Sequence, residues 1–296
     1  MTSDTTRAQG SIHPPQATRV ADEAHHCPER ERRLVLVVAV VASAMGFIDS
    51  TVVSIAIPAM RESLDAGLAA AQWVQNAYLL ALSALILVGG AAGDRFGVRD
   101  TFLAGILAFT VASVLCALAP TVEFLIAARF LKGATAAFMV PLSLALIAKN
   151  HPAEARGRAI GIWAAASGVT TALGPLVGGW LLSVGDADVW RWIFWGNLAL
   201  AAPIVPMLLR VPHDAPRGSG ALDWTGAGLA AASFGALALG LTGLGGGGAL
   251  DRGGSLIALA GASRFSAASS HGSAARANPW SSSPCSATAP SRARTY

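Results

Sequence analysis

Seven long apolar stretches follow one another along the chain, and short polar segments separate them. A helix rises about 1.5 Å per residue, so about 20 apolar residues are needed to cross a hydrocarbon core about 30 Å thick. The pattern therefore predicts seven membrane helices, over 34–57, 70–92, 101–119, 122–147, 158–184, 190–209 and 224–244.

The basic residues are divided unevenly between the two sets of polar segments. With a cytoplasmic N-terminus, the inner segments contain the basic clusters within 30–33, 95–99 and 149–158. Before residue 264, the outer segments contain only Arg61, Arg191 and Arg252. Lys and Arg are enriched in cytoplasmic loops. We therefore predict a multi-pass protein of the plasma (inner) membrane whose N-terminus is cytoplasmic.

The composition is typical of a membrane protein. Apolar residues make up 53% of the chain and charged residues 13%, against about 25% charged residues in soluble domains. The net charge of +4 comes from basic residues in the inner segments and the tail, where they set the topology and meet anionic lipid. Because this charge is explained by the membrane, we predict no nucleic-acid partner. Three widely separated cysteines give no metal-ligand spacing. Because the chain also lacks His-Glu-x-x-His and Gly-x-Ser-x-Gly patterns, we predict no metal, no catalytic residue and no enzyme activity.

Composition also divides the chain into five parts. They are a disordered cytoplasmic arm (1–33), a six-helix unit (34–209), a cytoplasmic loop (210–223), a linker helix with an aborted eighth span (224–263) and a disordered tail (264–296). The tail contains no Leu, Ile, Val, Asp or Glu and has too little apolar surface to fold. Because the apolar pattern stops soon after residue 255, we favour a truncated or frame-shifted reading frame. A genuine disordered tail is the alternative.

Three charged residues lie inside predicted spans, where charges are rare and usually functional. Asp49 is in the first span, and Arg129 and Lys132 are in the fourth. Counting from the outer ends of the spans places all three at a similar depth, roughly 9–14 Å below the outer surface. We expect them to face one shared cavity, where a carboxylate beside a cation can take up and release a proton. A static ion pair that holds two helices together is the alternative.

The fifth span carries a stripe of small residues at helical spacing. Small side chains let another backbone approach closely, and the Gly174-Pro175 pair should kink the helix. Gly178 and Gly179 continue the pattern. The members of the stripe are Gly161, Ala165, Gly168, Ala172, Pro175 and Gly179.

The segment between the second and third spans, residues 89–100, combines glycines with charges. Glycine permits a tight reversal between two helices. Asp94, Arg95 and Arg99 can form a charge network there, and a solvated turn is the alternative.

These motifs resemble those of the major facilitator superfamily, in its fourteen-helix drug:proton antiporter branch. The signature cytoplasmic loop of that superfamily, Gly-x-x-x-Asp-Arg-x-Gly-Arg-Arg, is matched by Gly90, Asp94, Arg95, Gly97 and Arg99. Residues 49–58 resemble the first-helix motif, 129–133 the fourth-helix motif, 168–179 the fifth-helix antiporter motif and 190–197 the entrance of the sixth helix. The sequence departs from the pattern at Ser54, Val98, Lys132 and Gly196.

The resemblance implies an all-α membrane protein, with the six-helix N-terminal half of a major facilitator fold and one linker helix. It also implies proton-coupled efflux of drugs or other small molecules, by an antiporter that uses the proton gradient and no bound cofactor. The implied partners are the lipid bilayer, a small-molecule substrate and a C-terminal half that this sequence lacks. The alternative is a truncated membrane remnant that does not transport.

Overall fold

The chain is built from helices joined by short turns. The computed structural model describes residues 29–211, 213, 224–244 and 253–263, and every regular element in those ranges is a helix. A short helix, α8, covers Gly253–Ser263. The longer helices are α1 (Glu29–Ser63), α2 (Leu68–Phe96), α3 (Val98–Ala117), α4 (Val122–Asn150), α5 (Ala153–Ser183), α6 (Arg191–Leu209) and α7 (Trp224–Leu244).

Among the described residues, six helices, α1 to α6, are long and apolar enough to cross a membrane. This confirms the predicted all-α membrane fold with its six-helix unit. The segment predicted as a linker forms the helix α7, and the segment predicted as an aborted span contains α8. Ser233 Oγ of α7 donates to the Ala262 carbonyl of α8 at 2.9 Å. Most of the predicted N-terminal arm, most of the loop before α7 and the whole tail lie outside the described residues.

The turn between α2 and α3 is much shorter than the sequence suggested. The segment 89–100 was expected to be a loop, but α2 continues to Phe96 and α3 begins at Val98. The reversal therefore falls on Gly97, whose φ of 94° is a conformation that residues with a Cβ atom rarely adopt. One glycine makes the turn that the sequence had assigned to a longer segment.

Helix α5 runs without interruption from Ala153 to Ser183, through Pro175. It begins five residues before the predicted span, and its N-cap, Pro152, has no side chain that could accept a hydrogen bond. The Gly174-Pro175 pair therefore lies inside a continuous helix.

Helix α4 packs closely on α2 through glycines. A Cβ atom added at Gly133 would overlap the backbone carbonyl of Tyr78, and one added at Gly89 would overlap the backbone at Ala137. Two large buried apolar clusters fill most of the bundle at different heights. One contains Met45, Phe102, Phe109, Met139 and Leu208, and the other contains Val53, Met60, Leu125, Trp190 and Phe194.

Candidate functional site

Three charged side chains meet in the interior of the helix bundle. Arg129 Nη1 donates to Asp49 Oδ2, and Lys132 Nζ donates to Asp49 Oδ1, each at 2.5 Å. All three side chains are fully buried. The structure thus brings together the residues that the sequence singled out, but it places them in a closed interior rather than at the shared cavity that we expected.

The remaining donors of Arg129 are satisfied by neutral groups on α2. Its Nε donates to the Val74 carbonyl at 3.1 Å and its Nη2 to Gln75 Oε1 at 3.1 Å. The guanidinium also lies over the Tyr78 ring, 4.3 Å from the ring centre. Gln75 in turn donates to the Ser50 carbonyl of α1 at 3.0 Å. Arg129 is therefore held in one orientation by three neighbours besides Asp49.

Lys132 has a different environment. Its ammonium lies 4.7 Å from the centre of the Phe109 ring and 4.6 Å from that of Phe194, so cation–π attraction supplements its ion pair with Asp49. Asn197 of α6 donates to Asp49 Oδ1 at 3.3 Å and to Ser113 Oγ at 3.0 Å. Among the described residues, Asp49 is the only carboxylate that pairs with Lys132.

The cluster carries a formal charge of +1, because one carboxylate faces two cations. It connects α1, α2, α3, α4 and α6 at the level where each helix passes between the two apolar clusters. Isolated charges in such an interior are costly, and a pair is tolerated only when geometry and hydrogen bonds compensate. Any change in the charge of Asp49 therefore alters the interactions of five helices.

A second polar group lies nearer the start of α1. Trp163 Nε1 of α5 donates to Ser43 Oγ at 2.9 Å, and Ser43 Oγ donates to Ser143 Oγ of α4 at 3.1 Å. A cavity of about 120 Å³ lies between these residues and the ionic cluster, with Tyr78 and Ser50 in its wall.

Sequence reasoning missed the neutral members of these groups. Gln75, Ser43 and Ser143 lie in apolar spans, where isolated amides and hydroxyls are common. Asn197 belongs to the motif at the entrance of the sixth helix, but its contact with Asp49 was not predicted. The signal that could have found Gln75 and Asn197 is depth, because both lie at the level of Asp49 when residues are counted along each span.

The residues of the signature loop do not form one network. Asp94 and Arg95 are exposed, and Gly90 is partly buried within α2. Arg99 is buried and instead holds the end of α6, because its Nη2 donates to the Leu209 carbonyl at 3.0 Å. The expected charge network is therefore replaced by an anchor between α3 and α6.

Arg99 makes further contacts at this anchor. Arg99 Nε donates to the Leu208 carbonyl at 3.3 Å, and Arg99 Nη1 pairs with Asp100 at 2.6 Å. Asp94 makes no ion pair with any residue that the structure describes.

The small residues of α5 divide between two faces. Gly174 and Gly178 are buried against α1, where a Cβ atom at Gly174 would overlap the Thr51 side chain and one at Gly178 would lie 3.0 Å from Val52 Cγ1. The predicted stripe lies on the other face and is exposed throughout; its members are Gly161, Ala165, Gly168, Ala172, Pro175 and Gly179. Within this unit, Gly174 therefore lies on the face that meets α1, and Gly168 lies on the exposed face.

Comparison with known proteins agrees with the arrangement of the helices. Residues 39–242 match the sequence profile of the Major Facilitator Superfamily. The chain belongs to that superfamily. It is 40% identical over 204 residues to an uncharacterised MFS-type transporter of Mycobacterium tuberculosis. The aligned region covers 67% of this chain and 34% of the relative.

Other relatives have names that describe resistance and export. The chain is 38% identical to the tetracenomycin C resistance and export protein of Streptomyces glaucescens, over 64% of this chain and 35% of the relative. It is 39% identical to a probable actinorhodin transporter of Streptomyces coelicolor, over 63% of this chain and 32% of the relative. The chain thus spans about a third of the length of these relatives.

Solved structures of transporters share the fold. The inward-open xylose transporter XylE from E. coli superimposes with a TM-score of 0.55 at 18% identity, covering 80% of this chain and 56% of that one. The POT family transporter PepTSo gives a TM-score of 0.57 at 15% identity, and the match covers 83% of this chain and 55% of that one. The chain is therefore a multi-pass membrane protein with a transporter fold.

Proposed function

We propose that this chain forms the first six-helix half of a proton-coupled efflux transporter for drugs or other small molecules. In this proposal it acts in the plasma membrane with its N-terminus inside, and the proton gradient supplies the energy. The observation that carries the proposal is the buried Asp49 carboxylate shared by Arg129 and Lys132.

A proton at Asp49 changes the balance of the cluster. The carboxylate is negative when it pairs with both cations, and the cluster then has a formal charge of +1. Protonation removes the negative charge and leaves two cations in a buried site, which is strongly unfavourable. The site can regain its stability by opening to water or by admitting a group that interacts with the cations. Proton uptake at Asp49 is therefore coupled to rearrangement of the helices that surround it.

The exposed stripe of α5 supports the second element of the proposal, a partner half. Small residues permit close backbone approach, and nothing within 4 Å would meet a Cβ atom at Gly161, Gly168 or Gly179. In a two-half transporter, alternating access is a movement of one half against the other. We assign the α5 stripe, together with the exposed Asp94 and Arg95, to the surface on which the second half moves.

The names of the relatives support the substrate class. The tetracenomycin C protein is named for resistance and export, and another relative, from Bacillus subtilis, is named for methylenomycin A resistance. We therefore expect an antibiotic or a similar organic molecule as the substrate of the complete transporter.

The test joins residues 1–244 to the remaining helices of the tetracenomycin C exporter and expresses the fusion in an efflux-deficient bacterium. Ethidium efflux and drug-dependent proton movement into inverted vesicles are measured together. We expect both activities in the fusion, loss of both with Asp49→Asn, and retention with Asp49→Glu, which keeps a titratable group. Unchanged proton movement in Asp49→Asn would refute the role of this carboxylate.

The chain of 296 residues is assayed in parallel. If neither the chain nor a well-expressed fusion moves ethidium, the alternative of a non-transporting membrane remnant is supported. Efflux by the chain alone would contradict the requirement for a second half.

A further inference from the structure

A basic cavity opens between the beginnings of α1 and α5, at the end of the bundle where α4 ends. Its volume is about 440 Å³, and Arg32 and Arg33 of α1 and Arg158 of α5 lie in its wall together with His151. It is far along α1 from Asp49 and shares no residue with the ionic cluster.

The positive charge of this cavity is only partly compensated. Glu29 pairs with Arg33 at 2.5 Å, which leaves Arg32 and Arg158 without an ion pair among the described residues. The Nε atom of Arg32 is buried and has no hydrogen-bond partner among the described residues. A buried donor without a partner is unfavourable, and an anion in the cavity would supply the missing acceptor.

His151 lies in the same wall. Burial lowers the pKa of His151, and the charges of Arg32 and Arg156 also lower it, whereas the hydrogen bond to the Ile147 carbonyl raises it. The lowered pKa favours the neutral ring, so the positive charge of the cavity comes from the arginines.

The beginning of α5 adds a further positive contribution. The helix starts at Ala153 after Pro152, which provides no side-chain cap. The N–H groups of Ala155 and Arg156 donate to the Pro152 carbonyl, so the helix contributes through its dipole, which attracts anions at the N-terminus. Ala155, in the first turn of α5, lies in the wall of the cavity.

The wall changes from basic to apolar along both helices. Leu36 follows Arg32 by four residues on α1, and Ile162 follows Arg158 by four residues on α5, so each pair shares a helix face. Leu36 and Ile162 both line the cavity, and Ile162 is 44% exposed. A phosphate held by the arginines would therefore have its acyl chains next to an apolar groove that leads into the hydrocarbon layer.

We infer that the groove between α1 and α5 binds an anionic phospholipid, whose phosphate contacts Arg32 and Arg158 and whose acyl chain lies along Leu36 and Ile162. A free phosphate would use only the basic end. The apolar continuation on both helices favours the lipid.

The first test measures lipid binding to the purified chain in detergent by native mass spectrometry. Phosphatidylglycerol and phosphatidylcholine with identical acyl chains are titrated separately, together with glycerol phosphate as the headgroup alone. We expect at least tenfold tighter binding of phosphatidylglycerol than of either competitor. Equal binding of phosphatidylcholine would overturn the inference, and glycerol phosphate that binds as tightly as phosphatidylglycerol would show a small-anion site instead.

The second test removes two charges inside the groove. Each basic residue near a membrane surface contributes about 1 kcal/mol to the attraction of anionic lipid, so Arg32→Gln with Arg158→Gln should weaken phosphatidylglycerol binding by about 30-fold. The matched control is Arg30→Gln with Arg210→Gln, because these arginines line a separate cavity on another side of α1. The control should change binding less than threefold.

Equal losses in the two double variants would indicate general surface attraction and would refute the site. Circular dichroism and gel filtration establish that each variant is folded. Arg32→Lys with Arg158→Lys keeps the charge and should retain most of the binding. The comparison of the two lipids on the unmodified chain requires no variant, so equal binding of the two lipids would refute the inference even if a substitution impairs folding.

Discussion

Replacing Asp49 by Asn should reveal how strongly the buried cluster depends on one carboxylate. The substitution keeps the size of the side chain, but it leaves Arg129 and Lys132 without a negative partner in a fully buried site. The formal charge of the cluster rises from +1 to +2. Arg129 retains neutral acceptors on α2, so Lys132, with aromatic rings as its other neighbours, should lose the larger share of its stabilisation.

The expected magnitude follows from known behaviour of buried ion pairs. Removing one partner of such a pair destabilises a protein by about 3–5 kcal/mol. In a chain of this size about 1 kcal/mol corresponds to roughly 2–4 °C in the melting temperature, so Asp49→Asn should lower it by about 10 °C. Lys132→Gln leaves one carboxylate with one arginine, and it should change the melting temperature little.

The double variant Asp49→Asn with Lys132→Gln provides the sharper comparison. It returns the formal charge of the cluster to +1, because only Arg129 remains charged. It should therefore be more stable than Asp49→Asn alone, by a coupling energy of about 1–3 kcal/mol, the usual range for residues in one network. A more stable double than single variant is a result that loss of packing cannot explain.

The assay is thermal unfolding followed by fluorescence-detected gel filtration in detergent. Asp186→Asn is the matched control, because Asp186 is exposed in the turn before α6. An unchanged melting temperature for Asp49→Asn, or a double variant whose loss equals the sum of the single losses, would refute the view that Asp49 balances both cations.

Two further predictions use the same assay. Gly174→Leu should lower the melting temperature, because the new side chain would overlap Thr51 and overpacking destabilises a protein by about 1–3 kcal/mol. Gly168→Leu on the exposed stripe should be tolerated. Equal losses would contradict the assignment of faces on α5. Arg99→Gln should lower the melting temperature by about 5 °C, since it removes charged hydrogen bonds worth about 1.5–3 kcal/mol to the end of α6, while the exposed Arg95→Gln should have little effect. A similar loss from both arginine variants would show that the α3–α6 anchor is not what Arg99 contributes.

The spans and the charged trio could be predicted from the sequence because each obeys a strong rule. A span must be long and apolar throughout, and charges inside it are rare, so Asp49, Arg129 and Lys132 are visible without a structure. Equal depth then correctly suggested that they meet. Depth alone could not tell that they are sealed in the interior, because that depends on Phe109 and Phe194, which look like ordinary apolar residues in their spans.

Two other features depended on packing that the sequence does not encode locally. Helical spacing predicted which small residues of α5 share a face, but it could not predict which face meets α1. The contacts of Gly174 with Thr51 and of Gly178 with Val52 show that these two glycines lie on the face that meets α1. Similarly, several glycines in 89–97 could have made the turn, and the positive φ of Gly97 identifies the one that does.

Helix α1 links the ionic cluster to the surface on α5. Asp49 faces Arg129 and Lys132, and Thr51, two residues further along the same helix, contacts Gly174 so closely that no Cβ atom fits between them. A helix is stiff over this distance, so a rotation or shift of α1 that follows a change of charge at Asp49 must also move the contact with Gly174. Helix α5 makes most of its contacts with α1, and its exposed stripe would move with them. The tight Thr51–Gly174 contact therefore provides a physical route from the buried carboxylate to the face that we assign to the partner half.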